Sequence, residues 1–425
     1  MRQTQDSSLP DATNVTRVVL PNGLTILVRE NHTTPVAVLQ GAIPAGVLHD
    51  TPDKAGLAAF VASMLTRGSE HYDFASFNET IESVGGNLTV STDTHSTDVS
   101  ITCLSEDFAQ LIAVLADIVQ RPAFPTDHVE RLRRQRLVRL QERDQDTANV
   151  ANLRFYEALY GREHPYGRAT SGYTETVRSL TRDDLVSFHQ RHFTPHGAIF
   201  AIAGAVETSS VIGLLEQQFG GWQGARALQD VPALTHHRSA ERIVVPMPGK
   251  VQADFVTGAY AVARSHPDYY ALRVANCILG QFGMMGRLGA NVRDDQGLAY
   301  YCYSALMAER GGGVWMAAAG VNPEDLEQAV SSVLAEFARL GDEAVDAAEL
   351  EDSQAYLTGV IPLTLETNDG VASSLLSIEW HELGLDYLHR YPDLIFNVTA
   401  ADVQRVARTY LRPEQCVTVT AGPLA

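Results

Sequence analysis

An internal repeat constrains this chain more than any single motif. The segment LTRDDLVSFHQRHFTPHGAIFAIAG (180–204) aligns without gaps on VTAADVQRVARTYLRPEQCVTVTAG (398–422). In each copy a threonine, Thr181 or Thr399, precedes an amphipathic run, and this order predicts the N-cap of a helix. A proline then ends the run, and an apolar stretch of strand-forming residues follows. Each copy therefore predicts a helix followed by a strand.

A second pair of segments keeps the same separation of 218 residues. SEDFAQLIAVLADIVQ (105–120) aligns on PEDLEQAVSSVLAEFA (323–338), with acidic residues at the start of both. Apolar positions recur every three or four residues, which is the spacing of one helical face. Acidic residues in a first turn complement the helix dipole. Two segments at one separation indicate a duplicated domain rather than a chance match.

The repeat predicts the fold class α+β, with two homologous domains. We expect residues 1–219 to form the first domain, 220–241 a linker and 242–425 the second domain. The stretch NLTVSTDTHSTDVSITCL (87–104) alternates apolar and polar residues, which is typical of antiparallel strands with one covered face. Each domain is therefore expected to be a mostly antiparallel sheet with helices packed on one face.

Composition narrows the classes of partner. The 425 residues include 51 acidic and 32 basic side chains, a net charge of −19, which disfavours nucleic acid as a partner. The same charge would attract basic or extended peptides, although solubility alone explains it. No apolar stretch approaches the ~20 residues of a membrane span. No secretory signal is visible and the four cysteines are scattered, so we expect a cytoplasmic chain with buried thiols.

Three blocks in the order of the sequence carry a family resemblance. They are LPNGLTILVRENHTTPVAVLQGAIPAGV (20–47), KAGLAAFVASMLTRGS (54–69) and FGMMGRLGANVRDDQGLAYYCYS (282–304). Together they resemble the pitrilysin/insulinase metallopeptidases, in the short-subunit form that includes mitochondrial processing peptidase. The resemblance covers nearly the whole chain. It implies a two-domain fold and a role in zinc-dependent cleavage of peptides.

The chain departs from that family at the helix that normally binds zinc. Family enzymes carry H-x-x-E-H there, with two histidines on one helical face and a glutamate that activates water. The aligned positions here are Ala59, Ala62 and Ser63. The third ligand, a glutamate in the family, should fall near Arg139 or Leu140, and Glu142 would need a shifted register. We therefore expect no catalytic metal in this chain and no activity from it alone.

Three histidines in HQRHFTPH could form a separate metal site. His189 and His192 stand three residues apart, but Pro195 breaks the helix before His196. The repeat offers no matching ligands in its second copy. We therefore expect surface histidines here rather than a metal site.

A second family feature is retained. Arg293 and Tyr300 stand seven residues apart in RDDQGLAY, which resembles the family's Arg/Tyr pair that contacts substrate near the zinc. A guanidinium and a phenol can donate hydrogen bonds to a peptide carbonyl that gains negative charge. Alternatively, Arg293 pairs with Asp294 or Asp295, and Tyr300 is an ordinary strand aromatic.

These features together resemble the non-catalytic subunit of a heterodimeric peptidase. Its partner would be a homologous subunit that carries H-x-x-E-H and the zinc, and its ligand a peptide substrate. By position, Gly283 and Gly286 resemble a glycine-rich loop that handles substrate, although a tight turn before a helix explains them equally well. Two alternatives stay open: a structural core subunit of a larger respiratory-type complex, and a homodimer that binds peptides without cutting them.

Overall fold

The protein is described by a computed structural model, which covers residues 9–224, 231–232, 239–281 and 286–423. The contacts within these ranges group into two compact units. The first unit takes its described residues from Met1–Leu140, Ala169–Gln229 and Pro362–Arg390, and the second from Gln141–Arg168, Asp230–Ile361 and Tyr391–Ala425. Each unit thus includes one segment from the other half of the sequence, an exchange that the repeat does not predict. The boundary expected at 220–241 lies partly outside the described residues and stays a prediction.

The first unit contains a six-stranded mixed sheet. Its strands are β1 (Thr16–Val19), β2 (Thr25–Glu30), β3 (Val36–Ile43), β4 (Asn87–Thr92), β5 (Thr97–Leu104) and β6 (Ile199–Gly204). Their order is β1-β2-β6-β3-β5-β4, in which β2 and β6 run parallel and every other pair is antiparallel. Alternate residues of β5 are buried, as the alternation in the sequence predicts.

The second unit contains a five-stranded sheet. Its strands are β7 (Glu241–Pro246), β8 (Ala253–Ala261), β9 (Ala299–Ala308), β10 (Gly313–Val321) and β11 (Val417–Gly422). Their order is β7-β11-β8-β10-β9, with β7 and β11 parallel and the other pairs antiparallel. This order and these directions match those of β2-β6-β3-β5-β4, which confirms the duplicated, mostly antiparallel α+β fold.

The helices follow the repeat as closely as the strands. In chain order they are α1 (Leu57–Leu65), α2 (Phe74–Glu82), α3 (Phe108–Gln120), α4 (Thr126–Arg143), α5 (Thr147–Tyr160), α6 (Thr174–Ser179), α7 (Arg182–His192), α8 (Thr208–Phe219), α9 (Tyr269–Asn276), α10 (Leu326–Asp342), α11 (Ala347–Thr364), α12 (Asn368–Trp380), α13 (Tyr387–Phe396) and α14 (Ala400–Tyr410). Helices α7 and α14 both begin with a capping box, Thr181 with Asp184 and Thr399 with Asp402. The N-caps predicted from the sequence are therefore confirmed.

Helices cover both faces of each sheet. In the first unit the main core lies between one sheet face and helices that include α1, α3, α7 and α8. The opposite face, with Leu27 and Val38, packs against Val371 and Leu375 of α12. In the second unit, α5 packs on one face through Phe155. The sequence predicts helices on one face of each sheet, and α12 and α5 add a single helix on a second face. Among the described residues, no helix has both the length and the apolar composition needed to cross a bilayer.

Candidate functional site

The helix that aligns with the family's zinc motif is α1. Its N-terminus is held by Asp50, whose carboxylate accepts hydrogen bonds from the backbone of Gly56 at 2.8 Å and of Ala58 at 2.9 Å. Gly56 adopts a φ of +94°, a left-handed conformation that favours glycine. This turn sets the direction in which α1 leaves the preceding loop, and it presents Ala59 on a partly exposed face.

The three motif positions offer no set of metal ligands. Ala59 and Ser63 lie one turn apart and are half-buried, whereas Ala62 is buried. The Ser63 hydroxyl donates to the Ala59 carbonyl at 2.8 Å. An alanine side chain has no ligand atom, so two of the three positions cannot coordinate a metal.

A guanidinium from α4 occupies the surface of this helix. Arg136 Nη2 donates to the Ser63 hydroxyl at 3.0 Å and also to the Ala59 carbonyl. The guanidinium lies 5.2 Å from the centre of the Phe60 ring. Burial, followed by the charge of Arg139, lowers the pKa of Arg136 to about 10, and Asp50 opposes both effects. The arginine remains cationic at neutral pH.

The residues around α1 therefore do not fit zinc. A dication at Ala59 and Ser63 would meet the positive charge of Arg136, and the two positions themselves offer only one hydroxyl, which already donates to the Ala59 carbonyl. At the expected positions of the third ligand, Arg139 is exposed and Leu140 is buried; Glu142 is exposed. Sequence reasoning missed Arg136, although the arginine-rich run of α4 was a visible signal.

Two other groups of potential ligands lie close together within the described ranges. They are Glu30 with His32 and Glu207, and Glu70 with His71 and Asp117. In the first group, Glu30 already accepts from the backbone of Thr208 at the start of α8. In the second, Asp117 is bound by Arg121 Nε and His71 Nδ1, both at 2.8 Å. Internal partners account for both groups.

All three histidines in HQRHFTPH are half-buried rather than superficial, so the expectation of surface histidines is wrong. His189 Nε2 donates to the Val119 carbonyl at 2.7 Å. The His192 ring stacks on His49 with centroids 4.1 Å apart, and its Nδ1 has no hydrogen-bond partner among the described residues. Burial lowers the pKa of both rings, and for His192 the value falls to about 4. Apolar packing, which the helical pattern alone does not reveal, removes them from solvent.

The retained arginine of the second unit lies on a π-helical segment, Gly289–Asp295. Such segments are rare and occur frequently at functional sites. Gly297, with a φ of +67°, closes the turn by donating to the Arg293 carbonyl at 3.0 Å. The Arg293 side chain is 35% exposed, and its contact with Asp294 is long, at 3.9 Å. A pairing this loose leaves the guanidinium free to bind a ligand.

The tyrosine of the pair lies on the edge strand β9. Tyr300 is 64% exposed, and its hydroxyl donates to Asn322 Oδ1 at 3.0 Å. An exposed phenol in such a contact can exchange it for a ligand at little cost. Sequence reasoning did not single out Asn322. Arg293 also lies within ion-pair distance of Asp294 and Tyr300 lies on a strand, as the alternative expects, so the substrate role of both residues stays a prediction.

The segment around Gly286 is tightly packed. A Cβ on Gly286 would lie 2.7 Å from the Gly280 backbone, so only glycine fits there without a shift of the chain. The neighbouring Arg287 forms a two-point ion pair with Glu349. Close packing accounts for Gly286, and its role in substrate binding stays a prediction. Gly283 lies outside the described residues.

Two family models match the two halves of this duplicated α+β fold. The family model described as Insulinase (Peptidase family M16) matches residues 25–172, and the one described as Peptidase M16 inactive domain matches 179–357. An uncharacterized zinc protease of Mycobacterium leprae is 30% identical over 376 residues, which cover 85% of this chain and 81% of that protein. The chain therefore belongs to the M16 peptidase family.

Two further similarities extend to other members of the family. Subunit 1 of the mitochondrial cytochrome b-c1 complex of Bos taurus is 28% identical over 264 residues, 62% of this chain and 55% of that one. The crystal structure of a peptidase M16 inactive domain from Pseudomonas fluorescens has a TM-score of 0.90 at 23% identity, with 97% of this chain and 98% of that chain covered. The structural match supports the fold alone.

Proposed function

We propose that this chain is the non-catalytic subunit of a heterodimeric zinc metallopeptidase. In this role it binds a peptide substrate and positions it at the zinc site of a homologous partner that carries H-x-x-E-H. One observation carries the proposal: Arg293 and Tyr300 keep accessible hydrogen-bond donors, while the chain's own motif helix is closed by Arg136.

In this role Arg293 and Tyr300 donate hydrogen bonds to the substrate. A peptide carbonyl under attack gains negative charge on its oxygen, and preorganised donors stabilise that charge. The Arg293 guanidinium has several N–H groups in a fixed plane, and the Tyr300 hydroxyl adds one O–H. Either group can also hold the backbone beside the reacting bond. The partner supplies the metal, and this chain supplies the donors.

Two supporting points concern proteolysis and the cellular compartment. The family similarity to an uncharacterized zinc protease supports a link to proteolysis. The four cysteines of the chain are free and buried, as expected for the reducing cytoplasm in which we place the assembly.

The second candidate function is that of a structural core subunit. The similarity to subunit 1 of the cytochrome b-c1 complex of Bos taurus favours it. A core subunit has no need for accessible donors at Arg293 and Tyr300. A peptide-binding homodimer without proteolysis is the remaining alternative.

Reconstitution tests the proposal. The purified chain should contain no stoichiometric zinc and should cleave no peptide. A homologous H-x-x-E-H subunit, encoded beside this chain where the genome provides one, should be weakly active or inactive alone and active in the mixture. Zinc-dependent cleavage by the pure chain would overturn the proposal. A stable mixed complex whose activity equals that of the partner alone would favour the structural role instead.

A further inference from the structure

The helix that closes the motif site is the most basic element of an acidic chain. Helix α4 carries six of the 32 basic residues and three acidic ones, whereas the whole chain has a net charge of −19. Two of its arginines have ordinary partners: Arg133 pairs with Glu130, and Arg143 with Asp144. The others are concentrated on a short stretch.

Four arginines of the first unit form what we call the arginine cluster: Arg67, Arg131, Arg136 and Arg139. Within the part of the chain that the structure describes, none of them forms an ion pair with a carboxylate. Burial, followed by the charges of Arg131 and Arg139, lowers the pKa of Arg67. Arg139 also acts on Arg136, so it links the two half-buried guanidinium groups. Like charges that act on one another without an ion-pair partner are unfavourable.

Arg67 and Arg131 of the cluster border a small cleft, and Arg136 has one unused donor. The cleft is lined by Arg67, Phe74, His128, Arg131, Leu132 and Gln135. The Arg67 guanidinium lies over the Phe74 ring, 4.7 Å from its centre, which fixes one wall. Arg136 Nε is buried and has no hydrogen-bond partner among the described residues. Arginine is the side chain best suited to two-point binding of a carboxylate.

We propose that the arginine cluster binds an acidic stretch of a peptide through its carboxylate side chains. The peptide's negative charge would replace the missing counter-charge beside Arg67 and Arg139. This local charge argues against the basic peptides that the net charge of the whole chain suggests.

The dimensions of the cluster suit an extended peptide. Arg131 and Arg139 are eight residues apart on α4, a rise of about 12 Å. In an extended chain, side chains four residues apart on one face are separated by about 13 Å. Two glutamates of one peptide can therefore reach both ends of the cluster. A nucleic acid would also bring negative charge, but the acidic surface of the rest of the chain would repel its continuous backbone.

The inference rests on the proposed function in that it names a substrate class for the same assembly, but its test needs only this chain. The probe is a fluorescent extended peptide with glutamate at every second position, compared with its glutamine and lysine analogues. We expect the glutamate peptide to bind about tenfold more tightly than the glutamine peptide, and the lysine peptide not to bind. Raising the ionic strength from about 0.01 M to 0.15 M should weaken the binding of the glutamate peptide.

Variants assign the binding to the cluster. Arg67→Gln combined with Arg139→Gln should lower the affinity for the glutamate peptide about tenfold. Arg131→Gln is a second variant, and it should fold normally because Arg131 is exposed. Arg191→Gln on α7 removes the same charge from an exposed position outside the cluster and should change affinity less than about twofold. Equal binding of the glutamate and glutamine peptides would overturn the inference, as would wild-type affinity in the double variant. Neither result would bear on reconstitution with the zinc subunit.

Discussion

Two arginines in this chain occupy contrasting environments. Arg136 in the first unit is packed on α1, where it donates to Ser63 and to the Ala59 carbonyl. Arg293 in the second unit is one-third exposed, and its nearest carboxylate lies at the limit of an ion pair. A donor bonded within the protein contributes to stability, whereas an accessible donor remains available to a ligand. The same side chain is therefore expected to serve structure in one unit and function in the other.

The contrast also concerns the positions at which the family's enzymes carry metal ligands. Ala59 and Ala62 provide no metal ligands, but the Ala59 carbonyl and the Ser63 hydroxyl beside them still need hydrogen-bond donors. Arg136 supplies donors to that surface and brings a positive charge to it. The first unit thus holds a fixed cation at this surface, whereas the second keeps its donors accessible.

Arg293→Ala should give the largest effect on activity, and it tests the functional role of the accessible arginine. In the reconstituted peptidase we expect kcat/KM to fall about 100- to 1,000-fold, because one preorganised donor is worth about 2.7–4 kcal/mol in the transition state. The unfolding midpoint should not move, because the side chain has only a loose internal contact. Steady-state kinetics and thermal unfolding check both statements. Arg408→Ala on α14, also exposed, is the matched control; equal kinetics in the two variants would contradict the functional role.

Arg136→Ala should give the opposite pattern. We expect the free energy of unfolding to fall by about 1–3 kcal/mol, because the variant leaves the Ser63 hydroxyl and neighbouring groups without their donor. With a peptide substrate that lacks acidic residues, the kinetics of the folded complex should stay close to those of the wild type. Urea denaturation measures the loss, with Arg134→Ala on the exposed side of α4 as the control, expected within about 0.5 kcal/mol. A free energy of unfolding equal to that of the wild type would contradict the structural role of Arg136.

The sequence predicts the duplicated fold well because the repeat records it directly. Thr181 and Thr399 cap equivalent helices, and the two sheets share strand order and direction. The second helical layers escaped prediction because α12 and α5 lie in the half of the sequence opposite to the unit they join. A repeat encodes local segments, whereas such an exchange depends on long-range packing.

The candidate site was predictable only where a motif recorded it. Missing ligands at Ala59 and Ala62 can be read from the alignment with H-x-x-E-H. What replaces them cannot, because Arg136 reaches α1 from a separate helix, 73 residues from Ser63. Exposure of Tyr300 likewise depends on the position of β9 at a sheet edge, which the local pattern does not fix.

Tyr300→Phe sharpens the comparison by removing one donor and keeping the ring. We expect kcat/KM of the reconstituted peptidase to fall about tenfold, which is about 1.4 kcal/mol, since a neutral hydroxyl is a weaker donor than a guanidinium. Stability should be unchanged, because Asn322, the partner of the hydroxyl among the described residues, is also accessible to water. Tyr303→Phe, on the same strand and also exposed, is the matched control. An equal effect of both variants would point to the strand rather than to the Tyr300 hydroxyl.

The smallest expected effect concerns pH and the His49–His192 stack in the first unit. Burial lowers the pKa of His192 to about 4, below the value of about 6.5 in an unfolded chain. Acid therefore favours the unfolded state: stability is full above about pH 6.5 and declines as the pH falls toward about 4. Because the ring is partly exposed, solvent screening limits the loss to about 1 kcal/mol. His192→Phe should reduce the decline in urea-unfolding free energy between neutral and acidic pH, whereas exposed His32→Gln should preserve it. An unchanged decline in His192→Phe would show that acid destabilises the first unit through other groups.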